Sequence, residues 1–398
     1  MSAARRTTQP WQPGSVREAA GGLFALALAT FVAITTELVP VGLLPLISDD
    51  LSVSEGVAGL LVTAYAFMVA ALALPLTAVT RRLPRKTVLL STLGIYTVSN
   101  VVVSLAPTFA LVATARALGG ASHAVFFSVS IGYASRLVRP HLAGRALALV
   151  TLGASAGFVL GVPLSTSLGT AVGWRTAFLV LAGACTLAAV LTALLLPSVP
   201  GGGAPPDDAA RGARRTALAQ VTAANALAYL GHYTVYTYVS VLLLGAGLAA
   251  SALGPALLLI GTLGLIGAWY AAARLDVRPR QTTVVTLVVV VGGILALGVA
   301  FPGTVGTLAA AAVWSVGFGA VAAVFQTAAI RTRGASPDAV GALVNATANI
   351  GIGGGAALGA LVLDSAGAGV VPWTGAVLVG AALTVVLLAR RAFPARQD

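Results

Sequence analysis

The sequence predicts an all-α membrane protein in which twelve spanning helices form two six-helix bundles. Of its 398 residues, 58% are hydrophobic and only 9% are charged, whereas a soluble globular chain carries roughly 45–50% apolar and about 25% charged residues. The apolar residues also come in long runs, and a run of about 20 is what a helix needs to cross a bilayer. This composition excludes an ordinary soluble enzyme, and it excludes disorder, which requires low hydrophobicity.

Each apolar run is predicted to be one helix, because lipid offers no partner for the backbone and a helix satisfies its own polar groups. Strands of a membrane barrel would instead alternate polar and apolar residues. The predicted spans are 21–47, 56–80, 87–106, 109–135, 143–169, 176–196, 216–244, 250–273, 282–300, 304–330, 339–363 and 371–389.

One long polar break, rich in Pro, Gly and charge, separates six spans from six and is predicted to be a flexible linker. This split suggests two related halves. The predicted organisation is a tail over 1–20, a first bundle over 21–196, a linker over 197–215, a second bundle over 216–391 and a tail over 392–398.

The net charge of +12 is distributed according to this topology. In a twelve-span arrangement, 21 of the 23 basic residues fall on one side, and only Arg116 and Arg175 do not. By the positive-inside rule, that side is cytoplasmic and carries both termini of a protein of the cell's inner or plasma membrane. The basic excess therefore indicates orientation in a lipid bilayer, and it does not indicate a nucleic-acid partner.

Three ionisable residues inside the first-half spans are candidates for proton coupling. A charge inside a bilayer is costly and points to function by default, and Glu37 is the leading candidate for a residue that loads and releases a proton. Arg116 lies at a similar depth and could pair with Glu37 or share a water network with it, and His123 lies two turns further along the same span. The alternatives are a permanently neutral Glu37, an Arg116 that snorkels or bonds backbone carbonyls, and a His123 that only packs.

In the second half, a polar and aromatic stripe is a candidate substrate surface. Its members recur at spacings of four, three and four residues, so they share one helix face. The eleventh span adds two asparagines one turn apart. The stripe consists of Asn225, Tyr229, His232 and Tyr236, and the asparagines are Asn345 and Asn349. Contact between helices is the alternative role for both groups.

The sequence gives little support for disulfides, a metal site, a nucleotide-binding loop or a hydrolase nucleophile. A single cysteine and three histidines argue against a disulfide framework and against a His/Cys metal site. The glycines at 351–355 lack the Lys-Ser/Thr of a phosphate loop, and no Gly-x-Ser-x-Gly elbow is present. We therefore expect no enzyme activity and no cofactor, and we expect an ion gradient to be the energy source.

Several stretches resemble the drug and sugar efflux branch of the major facilitator superfamily. They are Thr36–Ile47 in the first span; Thr80–Leu90, with Arg82, Arg85 and Lys86; its second-half counterpart Ala272–Arg280, with Asp276 and Arg280; Ala115–Ala124, with Arg116 and Gly120; and Gly153–Gly169, with Gly153, Gly157, Gly161 and Pro163. The resemblance implies that the loop and glycine motifs serve conformational change and gating.

The resemblance also implies the major facilitator fold and a secondary transporter whose two halves rock about a central site. The expected activity is export of a small neutral or weakly cationic molecule in exchange for protons. Chloramphenicol-like drugs, sugars and nucleosides are the candidate substrates, with antibiotic resistance as a consequence. The expected partners are the substrate, protons and lipid, and the chain is expected to act as a monomer. Import by proton symport and a non-transporting sensor remain as alternatives.

Overall fold

The computed structural model describes residues 14–80, 82–198, 212–335 and 337–394. These residues contain twelve helices long and apolar enough to cross a membrane, which confirms the predicted fold class. Much of the predicted N-terminal tail and linker, and the last four residues, lie outside the described ranges. The helices are α1 Ala20–Leu51, α2 Glu55–Thr80, α3 Arg85–Leu105, α4 Phe109–Leu137, α5 Ala143–Val172, α6 Trp174–Leu195, α7 Arg214–Gly245, α8 Ala250–Arg274, α9 Pro279–Ala300, α10 Thr304–Arg331, α11 Ala339–Ala366 and α12 Ala368–Leu388.

The helix ends lie within about one turn of the predicted span ends. The largest shift is in α1, which was predicted to end at Ile47 but continues through Asp49 and Asp50 to Leu51. Ser52 then ends the helix with a left-handed φ of 51°. A helix can extend beyond its apolar residues, because its backbone hydrogen bonds do not depend on lipid. A boundary predicted from hydropathy instead ends at the first charged residues.

Three helices are interrupted within their spans. α5 contains a π-helical turn over Gly157–Gly161. α7 breaks after Tyr236 and resumes as Val239–Gly245, and α10 breaks after Phe318. Non-helical backbone at membrane depth persists only where protein or a water-filled cavity surrounds it, so the breaks in α7 and α10 mark the interior of the bundle.

The first six and the last six helices each surround their own apolar core. Three residues of the second half join the first core, and six residues of the first half join the second. Helices α1, α2 and α5 therefore lie centrally and pack against α7, α8 and α11. The residues that cross over are Tyr238, Val241 and Ala360, and Ile34, Leu38, Val41, Val62, Ala66 and Val162.

Because successive helices run in opposite directions, the charged loops segregate to two ends of the molecule. The basic end carries the loops after α2, α4, α8 and α10 and the end of α12. The acidic end carries Asp49, Asp50, Glu55 and Asp364. Arg175 also lies at the acidic end, where it forms an ion pair with Asp50.

At the basic end, two basic side chains occupy equivalent places in the two halves. Lys86, at the start of α3, donates to the carbonyls of Ala193 and Leu196 at the end of α6, at 2.7 and 2.6 Å. Arg280, at the start of α9, donates to the carbonyls of Leu387 and Phe393 at the end of α12, at 2.8 and 3.1 Å. Each cation thus satisfies carbonyls that a helix C-terminus leaves open.

The remaining residues of these loop motifs also stay within their own half or at the surface. Asp276 forms an ion pair with Arg331 at 2.9 Å, which ties the loop after α8 to the end of α10. Arg82 is exposed and Arg85 is partly buried at the basic end. The Asp276–Arg331 ion pair thus joins two helices within the second half.

The two halves meet in the middle of the molecule and toward the acidic end. Ser54 donates to Asp364 at 2.8 Å, and Thr63 donates to the carbonyl of Gly353 at 3.0 Å. Gly254 of α8 faces Ser167 of α5 so closely that a Cβ there would collide with the serine hydroxyl. Small residues thereby allow the halves to close on each other at that end.

Candidate substrate and proton site

The polar centre of the first half is built around two prolines inside α1, Pro40 and Pro45. Proline has no N–H, so the carbonyl four residues earlier loses its helical donor. The carbonyls concerned belong to Thr36 and Val41, and both accept a hydrogen bond from another helix. Glu37 lies between these two open positions.

Arg116 of α4 supplies the donor for the first open carbonyl. Its guanidinium donates to the carbonyl of Thr36 and, at 2.6 Å, to that of Glu37. It also lies over the ring of Tyr65, 4.4 Å from the ring centroid, and only 1% of the residue is exposed. The structure therefore shows bonding to backbone carbonyls in place of a direct Glu37–Arg116 ion pair, because Pro40 creates an acceptor within reach.

The carboxylate of Glu37 instead approaches His123. Its Oε2 lies 3.6 Å from Nε2 of His123, and both side chains are buried. The other ring nitrogen, Nδ1, lies 2.8 Å from the hydroxyl of Tyr65. Glu37, His123 and Tyr65 thus form a chain of three groups that can exchange protons, contributed by α1, α4 and α2.

The close approach of α2 and α4 depends on Gly120. A Cβ at this position would collide with the main-chain carbonyl of Tyr65. Gly120 lies one turn after Arg116, so the Arg-x-x-x-Gly motif combines a long donor with a gap for the neighbouring helix. The motif brings both Arg116 and His123 against α2.

The second-half stripe forms an aromatic cluster that is completed by α10. The ring of His232 stacks on Phe318 and on Tyr236, and it lies 4.9 Å from the ring of Trp314. Tyr229 lies 5.5 Å from Phe318 between ring centroids. Nδ1 of the buried His232 has no hydrogen-bond partner among the described residues. The cluster therefore offers aromatic surface together with an open polar atom.

The three asparagines lie differently from one another. Asn225 is fully buried and donates at 3.0 Å both to the carbonyl of Val344 and to the hydroxyl of Thr347, so it joins α7 to α11. Asn349 is also buried and donates to the carbonyl of Asn345 at 3.0 Å, whereas Asn345 is exposed. The contacts of Asn225 are those of a helix-packing residue, and the structure does not bring it into the aromatic cluster.

The glycine motif of α5 faces α1. Gly153 packs on the backbone of Ala27, Gly157 packs on Ile34, and Gly161 packs on Thr35. Pro163 follows directly, and its carbonyl lies beside Gly254 of α8. This row places the π-helical turn of α5 against the helix that carries Glu37.

The two polar clusters adjoin across the interface between the halves. Ile34, Leu38 and Val41 of α1, on either side of Glu37, belong to the same apolar core as Tyr233, and Tyr229 packs against that core. A buried carboxylate and a buried aromatic cluster therefore lie on facing helices of the two halves. Among the described residues, no group of three or more His, Cys, Asp or Glu is placed to hold a metal ion.

Several residues of this centre were not singled out from the sequence. Tyr65, Trp314 and Phe318 are aromatic residues within apolar spans and carry no local signal that separates them from core packing. Asn100 donates at 3.1 Å to the hydroxyl of Thr36, next to Glu37. An asparagine inside a span is a candidate functional residue, since polar groups are rare in lipid. Asn100 could have been identified from the sequence on this basis.

Comparisons with known proteins agree with this architecture. Residues 26–342 match the model of the Major Facilitator Superfamily. The chain is 32% identical over 369 residues to a chloramphenicol efflux pump of Mycobacterium tuberculosis, covering 90% of this chain and 88% of that protein. It is 29% identical over 360 residues to a probable sugar efflux transporter of Mannheimia succiniciproducens, covering 89% and 90% respectively.

A solved structure shows the same fold. A bacterial homologue of the human lysosomal transporter Spinster superimposes with a TM-score of 0.76 at 15% identity, covering 97% of this chain and 100% of that one. The sequence resemblance to efflux-type permeases is confirmed by the relatives, and so is the expectation that the chain is not an enzyme. This chain belongs to the major facilitator superfamily and is a multi-pass membrane transporter.

Proposed function

We propose that this transporter exports a small neutral or weakly cationic organic molecule in exchange for protons. The observation that carries the proposal is the position of Glu37, a buried carboxylate beside His123 on the helix whose neighbouring residues join the core of the second half. Among the acidic residues that the structure describes, it is the one placed deep within a spanning helix. The named activities of the chloramphenicol and sugar efflux relatives support drugs and sugars as substrate classes, and nucleosides share their size and polarity.

In this proposal the basic end is cytoplasmic, as the positive-inside rule requires, and both termini lie in the cytoplasm of a cell-membrane protein. The halves close on each other at the acidic end, so the described state is closed to the outside. Alternating access then rocks the halves to open the acidic end. The loop motifs hold each half rigid, and the glycines of α5 keep that helix packed closely against α1, so that each half moves as one body.

Proton and substrate occupy the carrier alternately. Ionised Glu37 is stabilised by the imidazole of His123, whose Nε2 lies 3.6 Å from the carboxylate and whose Nδ1 accepts from Tyr65, and by the nearby charge of Arg116. The substrate binds from the cytoplasm against the aromatic cluster, and Asn345 and Asn349 contribute polar contacts beside it. A proton from outside then binds Glu37, the substrate leaves, and the protonated carrier returns and releases the proton to the cytoplasm. The proton gradient supplies the energy, without a cofactor.

We expect cells that produce this protein to accumulate less labelled chloramphenicol, sugar or nucleoside than cells without it. Collapse of the proton gradient by an uncoupler should restore accumulation, because export then loses its driving force. The measurement is intracellular label over time across a panel of substrates, with matched protein amounts in the membrane. Greater accumulation would instead assign import by symport, and no change across the panel would favour a sensor.

The sidedness has its own test. In a Cys185→Ala background, single cysteines at positions 207 and 49 are expected to react on opposite sides of the membrane. A membrane-impermeant thiol reagent applied to intact cells should label position 49 and reach position 207 only after the membrane is opened. Labelling of both positions from the same side would refute the topology. We also propose that the chain acts as a monomer, because one copy supplies both the proton cluster and the aromatic cluster.

A further inference from the structure

The second carbonyl opened by a proline of α1 is satisfied from the opposite half of the protein. Pro45 removes the helical donor of the Val41 carbonyl. The hydroxyl of Ser240 donates to that carbonyl at 2.7 Å, and both residues are fully buried. Ser240 lies in Val239–Gly245, the segment of α7 that follows its break.

The two proline-opened carbonyls thus differ in where their donors come from. The Thr36 carbonyl is bonded by Arg116, which belongs to the same half and moves with it. The Val41 carbonyl is bonded across the interface, and this bond can persist only while α1 and α7 stay in contact. The first bond is therefore expected to survive a rocking motion of the halves, and the second is not.

We propose that the Ser240–Val41 hydrogen bond is a latch that holds the acidic end closed, and that Ser240 is a gating residue of the transport cycle. In the closed state Val41 is fully buried, and Ser240 is the donor that the structure places at its carbonyl. When the halves part, water reaches the carbonyl and replaces the serine. The bond consequently favours the closed state, and its loss penalises only that state, because a buried acceptor without a donor costs free energy.

The Ser240–Val41 hydrogen bond also lies about one helical turn from the proposed proton site at Glu37. Val41 lies four residues after Glu37 on α1, which is about one helical turn. Release of the Val41 carbonyl frees the α1 segment next to the carboxylate while Arg116 still holds its other side. This connection rests on the proposed function of Glu37, whereas the latch itself concerns only the balance between closed and open states.

The other bonds between the halves provide a matched control. Thr63 also donates a hydroxyl hydrogen bond to a carbonyl across the interface, that of Gly353, at 3.0 Å. The residue four positions after Gly353 is Ala357, within the continuous helix Pro337–Ala366, so that carbonyl keeps its helical donor. Loss of the Thr63 hydroxyl leaves no buried acceptor open, and it should shift the balance much less than loss of the Ser240 hydroxyl.

The test measures the opening of the acidic end directly. Spin labels are placed at the exposed positions Val172 of α5 and Ser251 of α8, in a Cys185→Ala background, and the distance distribution is recorded in lipid nanodiscs. Ser240→Ala is expected to raise the ratio of long to short distances by at least about fivefold over the wild type. Thr63→Val, the matched control, is expected to stay close to the wild-type ratio.

A second variant tests whether the change in the distance ratio caused by Ser240→Ala depends on Pro45. Pro45→Ala restores an N–H that can bond the Val41 carbonyl within α1, so adding Ser240→Ala to this variant should change the ratio little. The proposal is overturned if Ser240→Ala leaves the ratio at the wild-type value, if Thr63→Val shifts it equally, or if the Ser240→Ala effect persists undiminished beside Pro45→Ala. Because the readout is a distance and not transport, a failure of Glu37 as proton carrier would leave this result unaffected.

Discussion

Replacement of Glu37 by Gln is expected to abolish transport driven by a pH gradient. Glutamine keeps the shape and hydrogen-bonding capacity of the side chain but cannot take up or release a proton. The measurement is the initial rate of substrate movement in proteoliposomes with an imposed pH gradient. We expect the rate to fall to the level of liposomes without protein, since Glu37 is the buried carboxylate beside His123.

Substrate binding is expected to survive this change, which separates coupling from recognition. The Glu37→Gln protein should still be stabilised thermally by substrate, and it should still exchange labelled for unlabelled substrate when no gradient is present. Glu55→Gln makes the same chemical change at the acidic end, where the side chain is only partly buried, and should retain gradient-driven transport. Full gradient-driven export by Glu37→Gln would remove this carboxylate from the mechanism.

Replacement of Arg116 by Met is expected to destabilise the protein by about 2 kcal/mol or more. Methionine fills a similar volume but leaves the buried Thr36 carbonyl, already without a helical donor because of Pro40, with no partner. A buried acceptor left unsatisfied costs roughly 1–3 kcal/mol. The measurement is the unfolding of the purified protein in detergent, by heat and by a denaturing detergent titration.

A double-mutant cycle assigns this cost to the proline. Pro40→Ala restores an N–H that can reach the Thr36 carbonyl, so Arg116→Met should cost clearly less beside Pro40→Ala than alone. Equal costs in the two backgrounds would contradict the carbonyl-bonding role. Arg116→Lys keeps the charge but lacks the planar fork that bonds two carbonyls at once, so it should lose stability while the pH dependence of transport per folded molecule stays near wild type.

The number and positions of the spanning helices could be predicted from the sequence. The free energy of inserting a helix into the membrane is a sum over the residues of one continuous segment. Hydropathy over about 20 residues and the side on which Arg and Lys fall are both readable along the chain. The motif around Arg116 and Gly120, together with the Thr36–Ile47 stretch, was enough to place the chain among efflux-type permeases. The candidate centre in the first half was predicted from the cost of burying Glu37.

The partners within that centre could not be predicted in the same way. Similar depth suggested that Glu37 faces Arg116, yet His123 is the group next to the carboxylate, while Arg116 bonds carbonyls opened by a proline. Hydrogen bonds from a side chain to the backbone are hard to predict from a sequence, because every residue carries the same carbonyl acceptor. The aromatic stripe of α7 was visible by its spacing, but its completion by Trp314 and Phe318 depends on how α10 packs against it.

The sequence by itself thus determined that the described residues contain twelve helices long and apolar enough to cross a membrane, that the chain belongs to a transporter family and that one span carries an acid. Only the tertiary structure decided which groups surround that acid, and that the prolines of α1 direct one carbonyl to Arg116 within its half and another to Ser240 across the interface. The physical reason is that the free energy of crossing lipid is additive along the chain. The rotation and docking of each helix depend instead on contacts between residues far apart in sequence.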